Sequence, residues 1–92
     1  MKTITAAVIG TGFIGPAHVE ALKRIPCVRV VAVASDDAAR ARKVAEDFDI
    51  PRTYLSWQDA VADPDVDVIH NCTPNHLHYR INRAALEADK HV

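Results

Sequence analysis

The sequence is poor in aromatic residues and in net charge, and each shortage excludes a class of protein. Aromatic residues make up 5% of the 92 residues, and eleven basic residues against twelve acidic ones leave a formal net charge of -1 at pH 7. Neither sign forms a run, so the sequence does not favour a nucleic-acid or membrane surface. Since no apolar stretch approaches the length of a membrane span, a cytoplasmic location is expected.

Metal-ligating and disulfide patterns are also missing. The two cysteines, Cys27 and Cys72, lie far apart and form no CxxC, so small apolar packing residues are expected rather than a disulfide or metal site. His76 and His78 are two positions apart, which on a helix points their side chains in different directions. No metal is therefore predicted.

What is present suits one compact domain. Apolar residues form 49% and charged residues 25% of the composition, as in folded globular proteins. A chain of 92 residues has room for one domain, residues 1–92, and a second domain is expected to be absent from it.

Short Val- and Ile-rich runs alternate with segments of helical periodicity, which predicts βαβ units and a parallel sheet. Strands are predicted at 4–9, 28–34, 53–55 and 66–72, and helices at 13–25, after Asp36 or Asp37, after Ser56, and from Leu77 to Ala88. The first helix is expected to bury one stripe, composed of Ile14, Ala17, His18, Ala21, Leu22 and Ile25. His91-Val92 has the character of the first step of a fifth strand.

All three glycines of the chain lie in one motif, Gly10-Thr11-Gly12-Phe13-Ile14-Gly15, between the first strand and the first helix. In a G-x-G-x-x-G loop the first glycine turns the chain, the second lets the backbone approach a diphosphate, and the third lets the helix pack on the strand. The backbone N–H groups and the helix dipole then favour an anion. The fold class expected is α/β, a Rossmann-type doubly wound parallel sheet with strand order 3-2-1-4, truncated before a fifth strand. The alternative is a glycine turn that binds nothing.

A group that binds the adenosine ribose is expected about twenty residues after the last glycine. That distance leads to Ser35, followed at once by Asp36 and Asp37. A carboxylate there accepts hydrogen bonds from the ribose hydroxyls of NAD and repels the 2′-phosphate of NADP. Asp36 is the ribose candidate, and both aspartates could instead cap the next helix.

Together with Asp67-Val68-Ile69, Thr73-Pro74-Asn75, His78 and Lys90-His91-Val92, the glycine motif resembles the N-terminal domain of the glucose-fructose oxidoreductase, inositol dehydrogenase and rhizopine-catabolism (Gfo/Idh/MocA) family. The resemblance implies that the glycine loop, including Phe13 and Ile14, binds NAD or possibly NADP. It also implies that Thr73, Pro74, Asn75 and His78 form the wall of the cofactor site. From the residues alone, Asn75 could be a helix cap, and His18 and His78 packing residues.

The sequence departs from the family in three places. Ser35 stands where many members have the ribose-binding aspartate, which leaves the choice between NAD and NADP open, and Asp89 replaces a glycine before Lys-His-Val. Third, the family continues beyond Lys-His-Val to a Glu-Lys-Pro motif, whose lysine lies beside the substrate, and then to a substrate domain. Neither is contained in these 92 residues. Lys90 does not match that catalytic lysine, so no catalytic residue is assigned.

The resemblance implies an oxidoreductase that moves a hydride between the nicotinamide and a hydroxyl or carbonyl carbon, on a sugar or cyclitol. The alternatives are a non-catalytic nucleotide-binding module and a structural fragment with an empty glycine loop. We expect the isolated chain to be inactive, because cofactor binding alone positions no second reactant. We also expect it to self-associate as a homodimer through the edge of its fourth strand.

Overall fold

A computed structural model describes residues 2–12 and 14–92, and within them strands and helices alternate along the chain. The elements in order are β1 (Ile4–Ile9), α1 (Ile14–Lys23), β2 (Val28–Ala34), α2 (Ala38–Phe48), β3 (Arg52–Tyr54), α3 (Trp57–Ala62), β4 (Val68–Asn71) and α4 (Asn75–Glu87). None of these helices is long and apolar enough to cross a membrane. The same residues contain no cluster of three side chains able to hold a metal ion.

The strands form one parallel sheet in the order β3-β2-β1-β4, as predicted. Strand β1 lies in the interior of the sheet, where Val8 is level with Val33 of β2 and His70 of β4. The four residues Ala6 to Ile9 are at most 2% exposed. A strand buried on both faces has to be apolar throughout, and this explains the uninterrupted apolar run at the start of the chain.

Two apolar cores lie on opposite faces of the sheet. Ala7 and Ile9 point to one core, with Ile81 and Ala85 of α4, and Ala60 of α3 packs there too. Ala6 and Val8 point to the other core, which α1 and α2 cover. Burial of each aliphatic side chain contributes roughly 1.5–3 kcal/mol to the stability of the fold. The helices on both faces are therefore needed, because they keep water from both cores.

The stripe predicted for α1 is wrong in most of its members. The helix buries Gly15, Val19 and Leu22, while Ile14 is 50% exposed and Ile25 lies beyond the end of the helix and is 44% exposed. The reason is steric: a Cβ at position 15 would lie 2.0 Å from the carbonyl oxygen of Gly10, so the helix turns this glycine towards the end of β1. Phe13, the predicted first residue, lies outside the described residues.

Caps define the next two helices. The Asp37 side chain accepts a hydrogen bond from the backbone N–H of Arg40 at 3.1 Å, so Asp37 caps α2 and Asp36 does not. The Ser56 side chain caps α3 by accepting from the N–H of Gln58, also at 3.1 Å. Helix α3 ends at Ala62, before Pro64.

The end of the chain contacts the outer edge of β4. Strand β4 is shorter than predicted because Val66 and Asp67 belong to the preceding loop. Asp89 takes the left-handed conformation, with φ 61°, that the expected glycine would adopt at lower cost. His91 then forms a parallel bridge with Val68, and its carbonyl accepts from the N–H of Ile69 at 2.8 Å. This bridge agrees with the strand-like character predicted for His91-Val92.

The loop between α3 and β4 is organised by Asp63, a carboxylate whose side chain is only 4% exposed. Arg52 donates to both of its oxygens, at 3.1 and 2.8 Å, and the Tyr54 hydroxyl donates at 2.8 Å. The buried ammonium of Lys90 donates to the carbonyl oxygens of Asp63 and Val66. Lys90 therefore stabilises the loop that precedes β4. It lies at the amino end of that strand.

Candidate functional site

A cleft of about 840 Å³ lies at the carboxyl ends of all four strands. In an open α/β sheet this edge is where ligands bind, because the strand order reverses there and the connections diverge. The lining comes from the segments that follow each strand: Ile9 to Gly12 with Ile14, Ala34 to Asp37 with Arg40, Leu55 to Gln58, and Cys72 to Pro74 with His76 and Leu77.

Two glycines of the loop are required by the fold itself. Gly10 has φ 107°, a conformation that disfavours other residues, and a Cβ there would lie 2.6 Å from the carbonyl oxygen of Cys72. Gly15 packs against Gly10 in the same manner. These contacts bring β1, α1 and the end of β4 together at the floor of the cleft.

Gly12 differs from the other two. A Cβ built on it would meet no atom of the described residues within 4 Å, and its φ is not in the left-handed range. Within the part of the chain that the structure describes, packing therefore gives no reason for glycine at this position. A ligand that approaches the backbone closely would explain the glycine, since a side chain would occupy the space that the ligand needs. The loop thus fits the diphosphate of a dinucleotide, with the N-terminus of α1 beside it.

At the carboxyl end of β2, where the sequence predicted the ribose, the cleft is lined by hydroxyl groups. The Ser35 side chain, 9% exposed as a residue, lies 2.8 Å from the Thr11 hydroxyl of the glycine loop and accepts from the N–H of Asp37. Asp37 also lies 3.7 Å from the Arg40 guanidinium. Asp37 is thus engaged by α2, although it lines the cleft together with Asp36. Of the two aspartates that the sequence offered as caps of α2, Asp37 is therefore the one that caps the helix.

The turn after β4 is held by polar contacts. The Thr73 hydroxyl donates to the amide oxygen of Asn71 at 2.5 Å, and the Thr73 carbonyl accepts from His78 Nε2 at 2.7 Å. A carbonyl can only accept, so Nε2 of His78 bears the proton. Asn75 is the first residue of α4, and the N-cap position belongs to Pro74, which offers no side-chain cap.

Two further groups flank the cleft on the α1 side of β4. Burial raises the pKa of the Cys72 thiol to about 11, so the thiol is protonated at neutral pH and is a poor nucleophile. Both cysteines are free and partly buried. His18 Nδ1 lies 3.2 Å from His70 Nδ1, and the two rings meet edge to face. The sequence did not predict this pairing of the two histidines. Burial, and then the proximity of His18, lower the pKa of His70.

The cleft brings most of the predicted residues together. Gly10, Gly12, Ile14, Ser35, Asp36, Thr73 and Pro74 line it. Gly15, Asn75 and His78 are not among its described lining: Gly15 supports the loop from below, and His78 contacts Thr73 from behind. Phe13 lies outside the described residues.

Sequence reasoning missed the contribution of β3 and of Arg40. Leu55, Ser56, Trp57 and Gln58 line the cleft directly after β3, and Leu55 is 64% exposed there. The rule that ligands bind at the carboxyl ends of parallel strands would have indicated this segment, because β3 lies beside β2. His76 and Leu77 also line the cleft, whereas the residues predicted from this part of the chain were Thr73, Pro74, Asn75 and His78.

Comparison with known sequences assigns this architecture to a family. Residues 4–92 match the oxidoreductase family with an NAD-binding Rossmann fold that comprises the Gfo/Idh/MocA proteins. The chain belongs to this family. The resemblance inferred from the glycine loop and the Thr-Pro-Asn turn is confirmed, and so is NAD as the cofactor class of the family.

Individual relatives agree with this assignment. Inositol 2-dehydrogenase 1 of Paenarthrobacter aurescens is 38% identical over 96% of this chain and 26% of its own length. Scyllo-inositol dehydrogenase of Lactobacillus casei, solved with NAD(H) and scyllo-inositol, superimposes with a TM-score of 0.93 at 25% identity, over 99% of this chain and 27% of that one. Biliverdin reductase of Synechocystis, solved with biliverdin and NADP+, superimposes with a TM-score of 0.90 at 31% identity. The match covers 97% of this chain and 28% of that one. The chain therefore spans about a quarter of the length of these relatives.

Proposed function

We propose that the cleft binds NAD(H) with the diphosphate over Gly12 and the start of α1. The open space in front of Gly12 supports this most directly, because the fold does not otherwise require glycine there. The loop N–H groups and the helix dipole would stabilise the two negative charges of the diphosphate. Ile14 and Pro74 would contribute apolar walls.

The adenosine ribose is assigned to Ser35 and Asp36. Both aspartates line the cleft, but Asp37 is occupied as the cap of α2, so Asp36 is the carboxylate proposed to accept from the ribose hydroxyls. A carboxylate at that position disfavours the 2′-phosphate of NADP(H). The cofactor preference proposed is NAD(H) over NADP(H).

The activity proposed for the enzyme is hydride transfer between the nicotinamide and a hydroxyl or carbonyl carbon of a sugar- or cyclitol-like substrate. Two relatives named for inositol support that substrate class. When bound, the cofactor supplies the hydride chemistry, and the residues of this chain bind and orient it. The chain would act as the dinucleotide-binding domain of a two-domain enzyme whose substrate domain lies outside these 92 residues.

The single tryptophan provides a test of cofactor binding. Trp57 lines the cleft, so NADH bound there is expected to quench its fluorescence in a saturable manner. NADPH should quench it only at concentrations about tenfold higher or more. Isothermal titration of the same samples gives an independent affinity. If NADH produces neither quenching nor heat, the cofactor assignment is wrong.

Turnover distinguishes the enzyme from a non-catalytic binding module. The 92-residue chain mixed with NAD+ and a panel of inositols and aldoses is expected to form no NADH, because the chain positions no second reactant. A two-domain enzyme that contains this chain as its dinucleotide-binding domain is expected to oxidise at least one of these polyols. An extended protein that binds NADH but oxidises none of the panel would refute the substrate class.

A further inference from the structure

Behind the Thr73-Pro74-Asn75 turn lies a pair of side-chain amides that sequence reasoning did not single out. Asn71, the last residue of β4, donates from Nδ2 to Asn82 Oδ1 on α4 at 2.8 Å. The same Nδ2 lies 3.4 Å from the carbonyl oxygen of His78. On the other side, Asn71 Oδ1 accepts from both the backbone N–H and the hydroxyl of Thr73, at 3.3 and 2.5 Å.

The donor and acceptor chemistry fixes the orientation of this pair. The backbone N–H of Thr73 can only donate, so the atom of Asn71 that faces it must be the amide oxygen. The Asn71 NH2 group then faces α4, and Asn82 must present its own oxygen to it. Asn71 is therefore connected on one side to Thr73 and on the other to the second turn of α4.

Thr73 is consequently held at three of its atoms. Its N–H and hydroxyl are bound by Asn71, and its carbonyl by His78. The preceding residue, Cys72, places its carbonyl where a Cβ on Gly10 would collide with it. The position of Thr73 is therefore set against the glycine loop on one side and against α4 on the other.

We propose that Asn71 and Asn82 are positioning residues of the cofactor cleft, which fix the turn at Thr73 and Pro74 relative to the glycine loop. This inference rests on the proposed binding of NAD(H). A turn that moved freely would have to be ordered on binding, and that ordering lowers affinity. The amide pair orders the turn in advance, without either asparagine lining the cleft.

The amide pair also determines what Thr73 recognises. Because its hydroxyl proton is donated to Asn71, the Thr73 oxygen can only accept from a ligand. The group it takes is a donor, such as a ribose hydroxyl or a carboxamide N–H. A phosphate oxygen carries no proton to donate and is disfavoured there.

Asn82→Leu tests the proposal, since leucine has a similar shape and no acceptor. The turn after β4 is separated from the end of β2 by β1, about 10 Å at the usual strand spacing. The Kd for NADH, which spans both sides, should rise about tenfold, while the Kd for AMP, measured by NMR titration and confined to the adenosine side, should stay within about twofold. Asn82→Asp keeps an acceptor and should bind NADH nearly as the wild type does. Arg83→Ala, which removes an exposed ion pair with Glu87 and no contact with Asn71 or Thr73, is the matched control among the described contacts.

Hydrogen exchange of the Thr73 amide gives a second measurement that needs no ligand. The amide should exchange faster in Asn82→Leu than in Asn82→Asp, and Asn82→Ser serves if the leucine variant does not fold. Unchanged NADH affinity and unchanged exchange in Asn82→Leu would overturn the positioning role and leave the cofactor assignment intact. Equal weakening of NADH and AMP would overturn it too, because that pattern indicates a general loss of structure. A wild-type chain that binds neither ligand refutes the proposed function itself.

Discussion

At the scale of single residues, Gly12 and Gly15 lie three positions apart in one motif but face different surroundings. A Cβ on Gly12 would enter open space in the cleft, whereas one on Gly15 would lie 2.0 Å from a backbone oxygen. If the diphosphate binds as proposed, the motif combines a position constrained by a ligand with a position constrained by packing. Substitutions at the two sites should separate binding from stability.

Gly12→Val is expected to abolish NADH binding, with a Kd at least a hundredfold higher, because its branched side chain would occupy the space of the diphosphate. The free energy of unfolding should change by less than about 1 kcal/mol, since a Cβ at this position meets no described atom within 4 Å. Gly15→Ala should instead destabilise the chain by about 3 kcal/mol, because α1 must move off β1. Titration with NADH and urea denaturation of both variants measure the two effects. Wild-type affinity in Gly12→Val would remove the main support for the site.

Asp36 and Asp37 offer a second matched pair. Asp36→Arg should shift the ratio of NADPH to NADH affinity by tenfold or more towards NADPH, because a guanidinium pairs with the 2′-phosphate that the carboxylate repels. Asp37→Ala removes the cap of α2 and should cost about 1 kcal/mol of stability while leaving that ratio unchanged. Parallel titrations with both cofactors decide the assignment. If the ratio responds to Asp37 and not to Asp36, the two roles have been assigned in reverse.

At the scale of elements, the strands were easier to predict than the orientation of the helices. The strand order follows from the alternation of strands and helices. Strand β2 was predicted to the residue because its buried part, Val30 to Ala34, is a continuous apolar run. The rotation of α1 could not be predicted in this way, because it depends on a contact between Gly15 and Gly10 that has no apolar side chain to mark it. The hydroxyl pair of Thr11 and Ser35 and the amides of Asn71 and Asn82 were missed for a related reason. Their partners lie on other elements, and periodicity along one segment does not reveal them.

The connection between β3 and β4 should depend on Asp63. Burial acts to raise the pKa of Asp63, but hydrogen bonds from the Asp65 N–H, Tyr54 and Arg52 outweigh it and lower the pKa below the usual value. The resulting stabilisation is complete above the ordinary carboxyl pKa of about 3.9 and is lost as the pH falls through the lowered value. Asp63→Ala should therefore cost about 2 kcal/mol at pH 7.

Asp65→Ala is the matched control for Asp63, because it removes an exposed partner of the same Arg52 guanidinium. It should cost less than about 1 kcal/mol, as exposed ion pairs do. Urea denaturation at pH 7 measures both variants. Equal losses in the two would show that the buried position of Asp63 gives it no special weight.

The pair of His18 and His70 should make the packing of α1 on β4 sensitive to mild acid. Burial lowers the pKa of His70, so the folded chain binds its proton less readily than the unfolded chain does. Stability from this group is complete above the ordinary imidazole pKa of about 6.5 and falls as the pH drops from there towards the lowered folded value. Thermal denaturation between pH 7.5 and 5 should show a shallower loss of Tm in His70→Gln, which cannot titrate. If Tm depends on pH equally in this variant and in the wild type, His70 is not the group that makes the fold sensitive to mild acid.

At the scale of the whole molecule, the two edges of the sheet differ. Strand β3 is short and its neighbouring segment turns into the cleft, which limits pairing at that edge. Beyond the bridge between Val68 and His91, no described residue pairs with the outer edge of β4. Apolar side chains are exposed on the adjoining α4, where Tyr79 is 75% and Leu86 61% exposed. The edge and this helix surface favour contact with another chain.

We therefore expect the 92-residue chain to self-associate, with a two-fold dimer along β4 as the simplest closed arrangement. Sedimentation equilibrium at several concentrations should show an average mass that rises from monomer towards dimer. Val92→Lys adds a charge at an exposed position beside the bridge and should weaken the association without altering the fold, because like charges at a paired edge repel. An exchange of terminal segments between chains would satisfy the same edge groups, but it would survive dilution far longer than a dimer paired only at the edge, since it must unfold locally to separate. A monomer at millimolar concentration would show that the bridge at His91 already protects the edge sufficiently, and the prediction would then be wrong.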